Sequence, residues 1–212
     1  PSNPLRSYIL TWGYGEDDLF RSTDGGKTFK SIFRKDVNAL AGDPSDGDRL
    51  ALAGRVYNSD WRSEPSYFGI YLSDDGGENG RSIKIRTDDG SEARAVAFAA
   101  SDRSVLYVAG LTAERKPVLY RSVDGGASWR QLKGPFESDY LVYSIAVDPT
   151  DPSRIAIGWR QFDTVTSNFR QAGRGFSTDG GETWTFPGVL APGVFRSDPV
   201  LGFTTEGTFY YD

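Results

Sequence analysis

One short pattern recurs four times in this chain and restricts its fold more than any other feature. It reads Arg21-Ser22-Thr23-Asp24-Gly25-Gly26-Lys27-Thr28-Phe29, then Leu72-Ser73-Asp74-Asp75-Gly76-Gly77. It returns as Arg121-Ser122-Val123-Asp124-Gly125-Gly126-Ala127-Ser128-Trp129 and as Phe176-Ser177-Thr178-Asp179-Gly180-Gly181-Glu182-Thr183-Trp184. Its aspartates are 51, 49 and 55 residues apart. A period near 50 residues made of short strands points to a propeller-like array with one four-stranded sheet per repeat. Asp-Gly and Gly-Gly between apolar segments are hairpin signals, because glycine reaches positive φ without steric cost. The Asp carboxylate and the Ser hydroxyl can accept backbone N–H bonds inside the turn. The Trp or Phe that follows opens the next strand and packs between sheets. The second copy continues as Glu78-Asn79-Gly80-Arg81, which predicts a looser, longer turn with Ile83 and Ile85 providing the packing.

The other strands fall between these turns. Apolar or alternating runs occur at Tyr8–Trp12, Leu50–Ala53, Val105–Ala109 and Ile155–Ile157, each expected to end at a glycine: Gly13, Gly54, Gly110 and Gly158. Turn-rich segments precede three of them: Asp43-Pro44-Ser45-Asp46, Ser101-Asp102-Arg103-Ser104 and Asp148-Pro149-Thr150-Asp151-Pro152. Short apolar runs at Val37–Ala41, Ala95–Ala99 and Ser144–Val147 supply the inner strands. No stretch keeps a 3.6-residue apolar period, so essentially no helix is expected. The repeats read as 1–35, 36–91, 92–137, 138–190 and the start of a fifth at 191–212, in one partial propeller domain spanning 1–212. The chain thus opens without its first inner strand and closes on an inner and a second strand. At about 50 residues per blade, that register predicts about four blades of an incomplete ring. The remaining blades are then possible partners. The opening Pro1 and the lack of Met read as a processed or excised chain.

Composition excludes several chemistries. The chain has 212 residues, with 38% hydrophobic and 25% charged, enough apolar content for a core. Cysteine and histidine are absent. That removes disulfides, thiol nucleophiles, Ser-His-Asp catalysis and Cys- or His-ligated metals. The net charge of −5 argues against a nucleic-acid surface, and no apolar run is long enough for a membrane helix.

The pattern Ser-x-Asp-Gly-Gly-x-Thr-Trp resembles the Asp-box, or BNR repeat. That repeat occurs in sialidases, xyloglucan-degrading hydrolases, sortilin-type receptors and a photosystem assembly factor. The resemblance implies an all-β propeller of four-stranded antiparallel blades with Asp-box hairpins, whose relatives close with six or seven blades, so that this chain would be an incomplete six- or seven-bladed ring; it covers the whole chain at repeat level. It places the box at the periphery. Ser22, Asp24, Asp75, Ser122, Asp124, Trp129, Ser177, Asp179 and Trp184 are therefore structural, as their turn chemistry also suggests. Ile155–Tyr211, with Gly158-Trp159-Arg160-Gln161-Phe162 and Phe195-Arg196-Ser197-Asp198-Pro199, is similar to secreted bacterial members. A secreted, periplasmic or cell-surface location is expected.

A propeller acts at the mouth of its central channel. The residues just before each inner strand are the candidates: Asp36, Glu92 with Arg94, Asp139 with Tyr140 and Tyr143, and Arg196 with Asp198. Resemblance to sialidases implies roles for such types: arginines clamp a carboxylate, a Tyr is the nucleophile and an Asp the acid/base. Arg94, Tyr143, Arg196 and Asp198 are the catalytic candidates on that view. The plain alternative is turn chemistry, salt bridges or a solvated rim. Two long loops offer binding groups: Trp61, Arg62, Glu64 and Tyr67 in the first, Phe162, Asp163, Asn168, Phe169 and Arg170 in the second, beside Arg160. Trp61, Tyr67, Arg160, Phe169 and Arg170 are the binding candidates. Glu16-Asp17-Asp18 and Asp74-Asp75 could bind calcium through oxygen, but neither has EF-hand spacing, so no metal or cofactor is expected. Two functions follow. One is a module that binds glycan or protein or scaffolds an assembly. The other is part of a sialidase-like glycoside hydrolase with an Arg/Tyr/Asp site at the channel mouth.

Overall fold

A computed structural model describes residues 5–11, 18–34, 36–57, 66–134, 141–162, 170–196 and 199–211. These residues form strands and turns, with no helix among them. The first sheet has three strands: β1 (Ser7–Thr11), β2 (Asp18–Ser22) and β3 (Lys30–Arg34). Three four-stranded sheets follow. The second is β4 (Val37–Asp43), β5 (Asp46–Tyr57), β6 (Ser66–Ser73) and β7 (Arg81–Lys84). The third is β8 (Glu92–Phe98), β9 (Leu106–Leu111), β10 (Pro117–Ser122) and β11 (Arg130–Leu132). The fourth is β12 (Leu141–Val147), β13 (Ile155–Phe162), β14 (Arg170–Ser177) and β15 (Val189–Leu190). β16 (Leu201–Phe203) and β17 (Phe209–Tyr211) form a two-stranded fifth sheet. All pairings are antiparallel between neighbours in sequence, as in a propeller blade.

The sheets stack in chain order, because each has two apolar faces that must be covered. Leu19, Val37, Leu50, Leu52 and Tyr71 are buried between the first and second sheets. Phe68, Ile70, Val96, Leu106 and Val108 fill the next joint, with Ile83 and Ile85 packed against them. Tyr107, Leu119, Val142, Ile155, Ile157 and Trp159 fill the third. The first strands β4, β8, β12 and β16 contact one another in succession, so they line the axis of the arc.

The Asp-box turns share one geometry. In the first, the Ser22 hydroxyl donates to Asp24 Oδ1 at 2.7 Å and accepts from the Gly26 N–H at 2.9 Å. Asp24 accepts from the Thr28 N–H at 3.0 Å and from its hydroxyl at 2.6 Å. Ser122–Asp124–Ser128 and Ser177–Asp179–Thr183 repeat the set. Both glycines need positive φ, 75° and 85° in the first turn. The second copy corrects the sequence reading. It is no looser: Asn79 takes the place of Thr, its N–H and side-chain amide both donating to Asp75, at 2.9 and 2.8 Å. Trp129 and Trp184 each donate Nε1–H to the second box glycine's carbonyl at 3.2 Å.

The second strands also differ from expectation. They do not end at glycine: β5 runs three residues past Gly54, β9 one past Gly110 and β13 four past Gly158. Gly54 and Gly110 sit opposite Val37 and Ala93, where the inner strand bulges. A Cβ there would lie 2.2 Å from the Asp36 carbonyl oxygen or 2.1 Å from that of Glu92. In the fourth sheet Trp159 takes this pairing position, so Gly158 is one residue out of step with Gly54 and Gly110. Gly13 lies outside the described residues.

Candidate functional site at the inner-strand mouth

Each complete sheet carries a bulge near the start of its inner strand. The ladder skips a residue between Val37 and Ala39, between Ala93 and Ala95, and between Val142 and Ser144. The residues skipped are Asn38, Arg94 and Tyr143, at one equivalent position in three consecutive blades. A bulge leaves its extra residue out of the ladder and re-aims its side chain. The repeat therefore turns one position per blade away from sheet pairing, and that position holds a different chemical group each time.

Glu92 is the centre of this region. It starts β8 and is 3% exposed. Arg94 donates to its Oε1 at 2.6 Å and Arg115 to the same oxygen at 2.8 Å. Arg55, from the preceding blade, lies 3.2 Å from Oε2. Burial pushes the Glu92 carboxyl up, but the Arg94 hydrogen bond and the charges of Arg94 and Arg55, with Arg115, hold it below the ordinary range. Arg55 also faces Asp36 at 3.5 Å, and the Asn38 side chain donates to the Ala93 carbonyl at 2.8 Å. These contacts tie the second and third blades together at the mouth.

Arg115 reaches Glu92 from the turn joining β9 and β10. Its φ is 64°, an uncommon conformation for a residue with a side chain. The turn is closed by the Thr112 N–H to the Lys116 carbonyl at 2.8 Å and the Arg115 N–H to the Thr112 carbonyl at 3.0 Å. It is moored to the loop before β8 by the Ala113 N–H on Asp88 at 3.2 Å, and Asp88 is itself paired with Arg86 at 2.6 Å. In the fourth blade Arg160, at the end of β13, donates to the Tyr143 hydroxyl and lies 4.6 Å from the centre of that ring.

The sequence candidates thus divide. Arg94 and Tyr143 occupy equivalent bulge positions on adjacent blades, with Glu92, Asp36 and Arg160 alongside. Arg196 is exposed and is felt electrostatically by Tyr211 of β17, whose hydroxyl burial pushes up to about 12 against Arg174 and Arg196. Asp198, Asp139, Tyr140, Trp61, Arg62, Glu64, Asp163, Asn168 and Phe169 lie outside the described residues, as do the side chains of Phe162 and Arg170. Tyr67 is half-buried with Lys84 Nζ 3.5 Å from its ring centre, so a cation already covers one face. Sequence reasoning missed Asn38, Arg55 and Arg115. Asn38 shares its offset from the inner turn with Arg94, which is a usable signal. Arg115 carries none, because its role depends on a turn conformation.

The acidic clusters do not form a metal centre in the part that is described. Asp74 faces Arg49 at 3.4 Å and Asp75 closes its own turn. Glu16, Asp17 and the Asp18 side chain lie outside the described residues. Among the described residues no group of three or more acidic side chains is placed to hold a metal ion. No helix among them is long and apolar enough to cross a membrane.

Comparison with known proteins agrees with this geometry. Residues 176–186 match the model of the BNR/Asp-box repeat. No curated protein matches the sequence. Solved structures share the fold. An ancestral GH74 enzyme superposes with a TM-score of 0.66 at 15% identity, over 98% of this chain and 27% of its own. The Penicillium chrysogenum α-L-arabinanase complexed with arabinobiose gives 0.60 at 15% identity, over 98% of this chain and 70% of its own. The GH93 α-L-arabinofuranosidase of Fusarium graminearum gives 0.57 at 13% identity, with 98% and 70% covered. The chain therefore spans about a quarter of the GH74 enzyme. The chain therefore has the β-propeller fold and carries four equivalent Asp-box turns, one of which the BNR/Asp-box repeat model matches.

Proposed function

We infer that the chain is a glycan-binding Asp-box propeller module whose ligand rests on the inner-strand mouth, and that it does not cleave what it holds. The state of Tyr143 carries this reading. A tyrosine nucleophile needs a carboxylate at its hydroxyl to take the proton; here the hydroxyl accepts from the Arg160 guanidinium. Glu92, the one deeply buried mouth carboxylate among the described residues, is fixed among three arginines and kept ionised. It is a poor proton donor at neutral pH. The remaining groups, Asn38, Arg94, Arg160 and the half-exposed Tyr143 ring, suit hydrogen bonding and stacking against a sugar. Export from the cell fits the fold's glycosidase neighbours and is part of this proposal.

A glycan array combined with a reducing-end assay tests it. Binding without release of reducing ends is expected, and Arg94→Ala should abolish binding. Turnover of any glycan that stops in Tyr143→Phe would establish the hydrolase reading instead. An array blank for every glycan would return the chain to a protein-binding or scaffolding role.

A further inference from the structure

We propose that Asn79 is a self-modification site. It loses its amide to water through a ring closed by the Gly80 nitrogen, and the loss unlatches the second Asp-box turn and, with it, the joint between the first two blades.

Asn79-Gly80 is the chain's one Asn-Gly pair. Asparagine is among the thermolabile residues, and a following glycine removes the side chain that would hinder ring closure. In the reaction the Gly80 nitrogen gives up its proton and bonds to Asn79 Cγ, the Cγ–Nδ2 bond breaks, and ammonia leaves. Water then opens the cyclic imide at either carbonyl. The products are an aspartate and an isoaspartate whose backbone runs through Cβ, and no oxidant or reductant takes part.

The geometry favours this place. Asn79 and Gly80 are exposed, and among the described residues the Gly80 N–H makes no backbone hydrogen bond. The backbone does not demand glycine here: its φ is not positive, and a Cβ would sit 3.5 Å from the Leu72 carbonyl oxygen, an ordinary contact. Asn38 precedes Ala39, and its amide is held by the Ala93 carbonyl. Asn3 precedes Pro4, which has no N–H to give. Asn58 and Asn168 precede Ser59 and Phe169, whose side chains hinder the ring.

The lesion falls on a latch. The other boxes carry Thr28, Ser128 and Thr183 at this position, and none of those can react this way. The Asn79 N–H and amide donate to Asp75 at 2.9 and 2.8 Å, and they lead in holding its carboxyl at about 2. Those bonds oppose ring closure, so closure proceeds from a locally opened turn. Once the amide has become a carboxylate, a donor is gone and two negative charges face each other. The first blade is stitched to this turn: Arg21 donates to the Gly76 carbonyl at 3.0 Å and to Glu78. Asn79 and Gly80 also edge a crevice over Leu19, Leu50 and Leu72, which the extra backbone carbon of isoaspartate would widen.

Ageing the full 212-residue chain at pH 8.5 and 37 °C, followed by peptide mass mapping, tests the idea. The peptide holding Asn79 should gain about 1 Da, roughly tenfold faster than any other asparagine peptide. Gly80→Ala should slow the gain at least fivefold, and Asn79→Thr should abolish it with the melting temperature kept. Ser73→Ala, which loosens the turn without touching Asn79, should speed it severalfold. Aged protein and Asn79→Asp should both melt several degrees below fresh wild type. Both should lose hydrogen-exchange protection in β2, β3 and β6 while β8–β10 keep theirs. Earlier conversion at Asn58 or Asn168, or a Gly80→Ala chain that ages at the wild-type rate, would overturn the site. Aged protein that melts with fresh protein would overturn the latch.

Discussion

The Asp-box turns and the inner-strand mouth are both built once per blade, yet they behave in opposite ways. At the turns the same atoms meet at the same distances: Ser Oγ receives the N–H of the second glycine at 2.9, 2.9, 2.8 and 2.9 Å in the four copies. At the mouth the bulge is kept and its occupant changes, from Asn38 to Arg94 to Tyr143. Where four copies share one geometry, the residues satisfy their own backbone, a requirement that is the same in every blade. Where a shared backbone position holds different chemistry, the backbone has stopped dictating the residue. On the proposed function, the ligand dictates it there.

The sharpest way to break this contrast is to remove the bulge's space. Gly110→Ala places a methyl 2.1 Å from the Glu92 carbonyl oxygen and 2.8 Å from Ala93 Cα. Backbone cannot retreat as a side chain can, so a loss of about 3 kcal/mol is expected, read by urea denaturation. Glu92→Leu comes next. It leaves three partly solvated guanidiniums facing each other and should cost about 2 kcal/mol, below the range for fully buried pairs. If it is neutral, the cluster is a surface ornament and the mouth is not preorganised. Ser122→Ala strikes the turns: the hydroxyl is buried and the Gly126 N–H loses its acceptor at 2.8 Å. About 1–2 kcal/mol should be lost, with ligand binding unchanged.

Acid stability separates the two regions by another route. Hydrogen bonds from Thr28, Asn79 and Ser128, with the turn serines, lower Asp24, Asp75 and Asp124 to about 2, and Thr183 and Ser177 lower Asp179 further. A carboxyl with a depressed folded pKa stabilises the fold above its unfolded value near 3.8, and that stability is lost as pH falls toward 2. Melting temperature should therefore hold to about pH 4 and drop steeply below it. Glu92→Gln should keep most of the slope, since four turns dominate it. The smallest effect belongs to Tyr143→Phe, expected within about 0.5 kcal/mol of wild type in stability while binding weakens, because its hydroxyl meets only the Arg160 side chain among the described residues.

The two regions were unequally legible in the sequence. The box turns could be read directly, because every partner lies within four residues of the Asp or Ser. Even there the second copy departs from expectation: its sequence predicts a looser, longer turn, yet the Asn79 N–H and amide supply the same donors to Asp75 as threonine does. Blade order and the packing of Ile83 and Ile85 followed from the period. The mouth was only half visible. Glu92, Arg94 and Tyr143 stand near inner-strand starts, where the repeat register points. Arg115 joins them through a positive-φ turn, and Arg55 through a bond from the neighbouring blade. Neither link has a local sequence signal. The apolar run aligns Gly158 with Gly54 and Gly110, but the position opposite the bulge is filled by Trp159 in the fourth blade, and only the strand register shows it.

The most direct test of the contrast is the glycan-array profile of two variants, Ser122→Ala and Arg94→Ala, each melted beside the wild type. The account predicts that Ser122→Ala melts lower with an unchanged binding profile, and that Arg94→Ala melts near wild type with its profile erased. A Ser122→Ala variant that keeps its stability and loses its glycans would contradict it, placing recognition in the Asp-box turns.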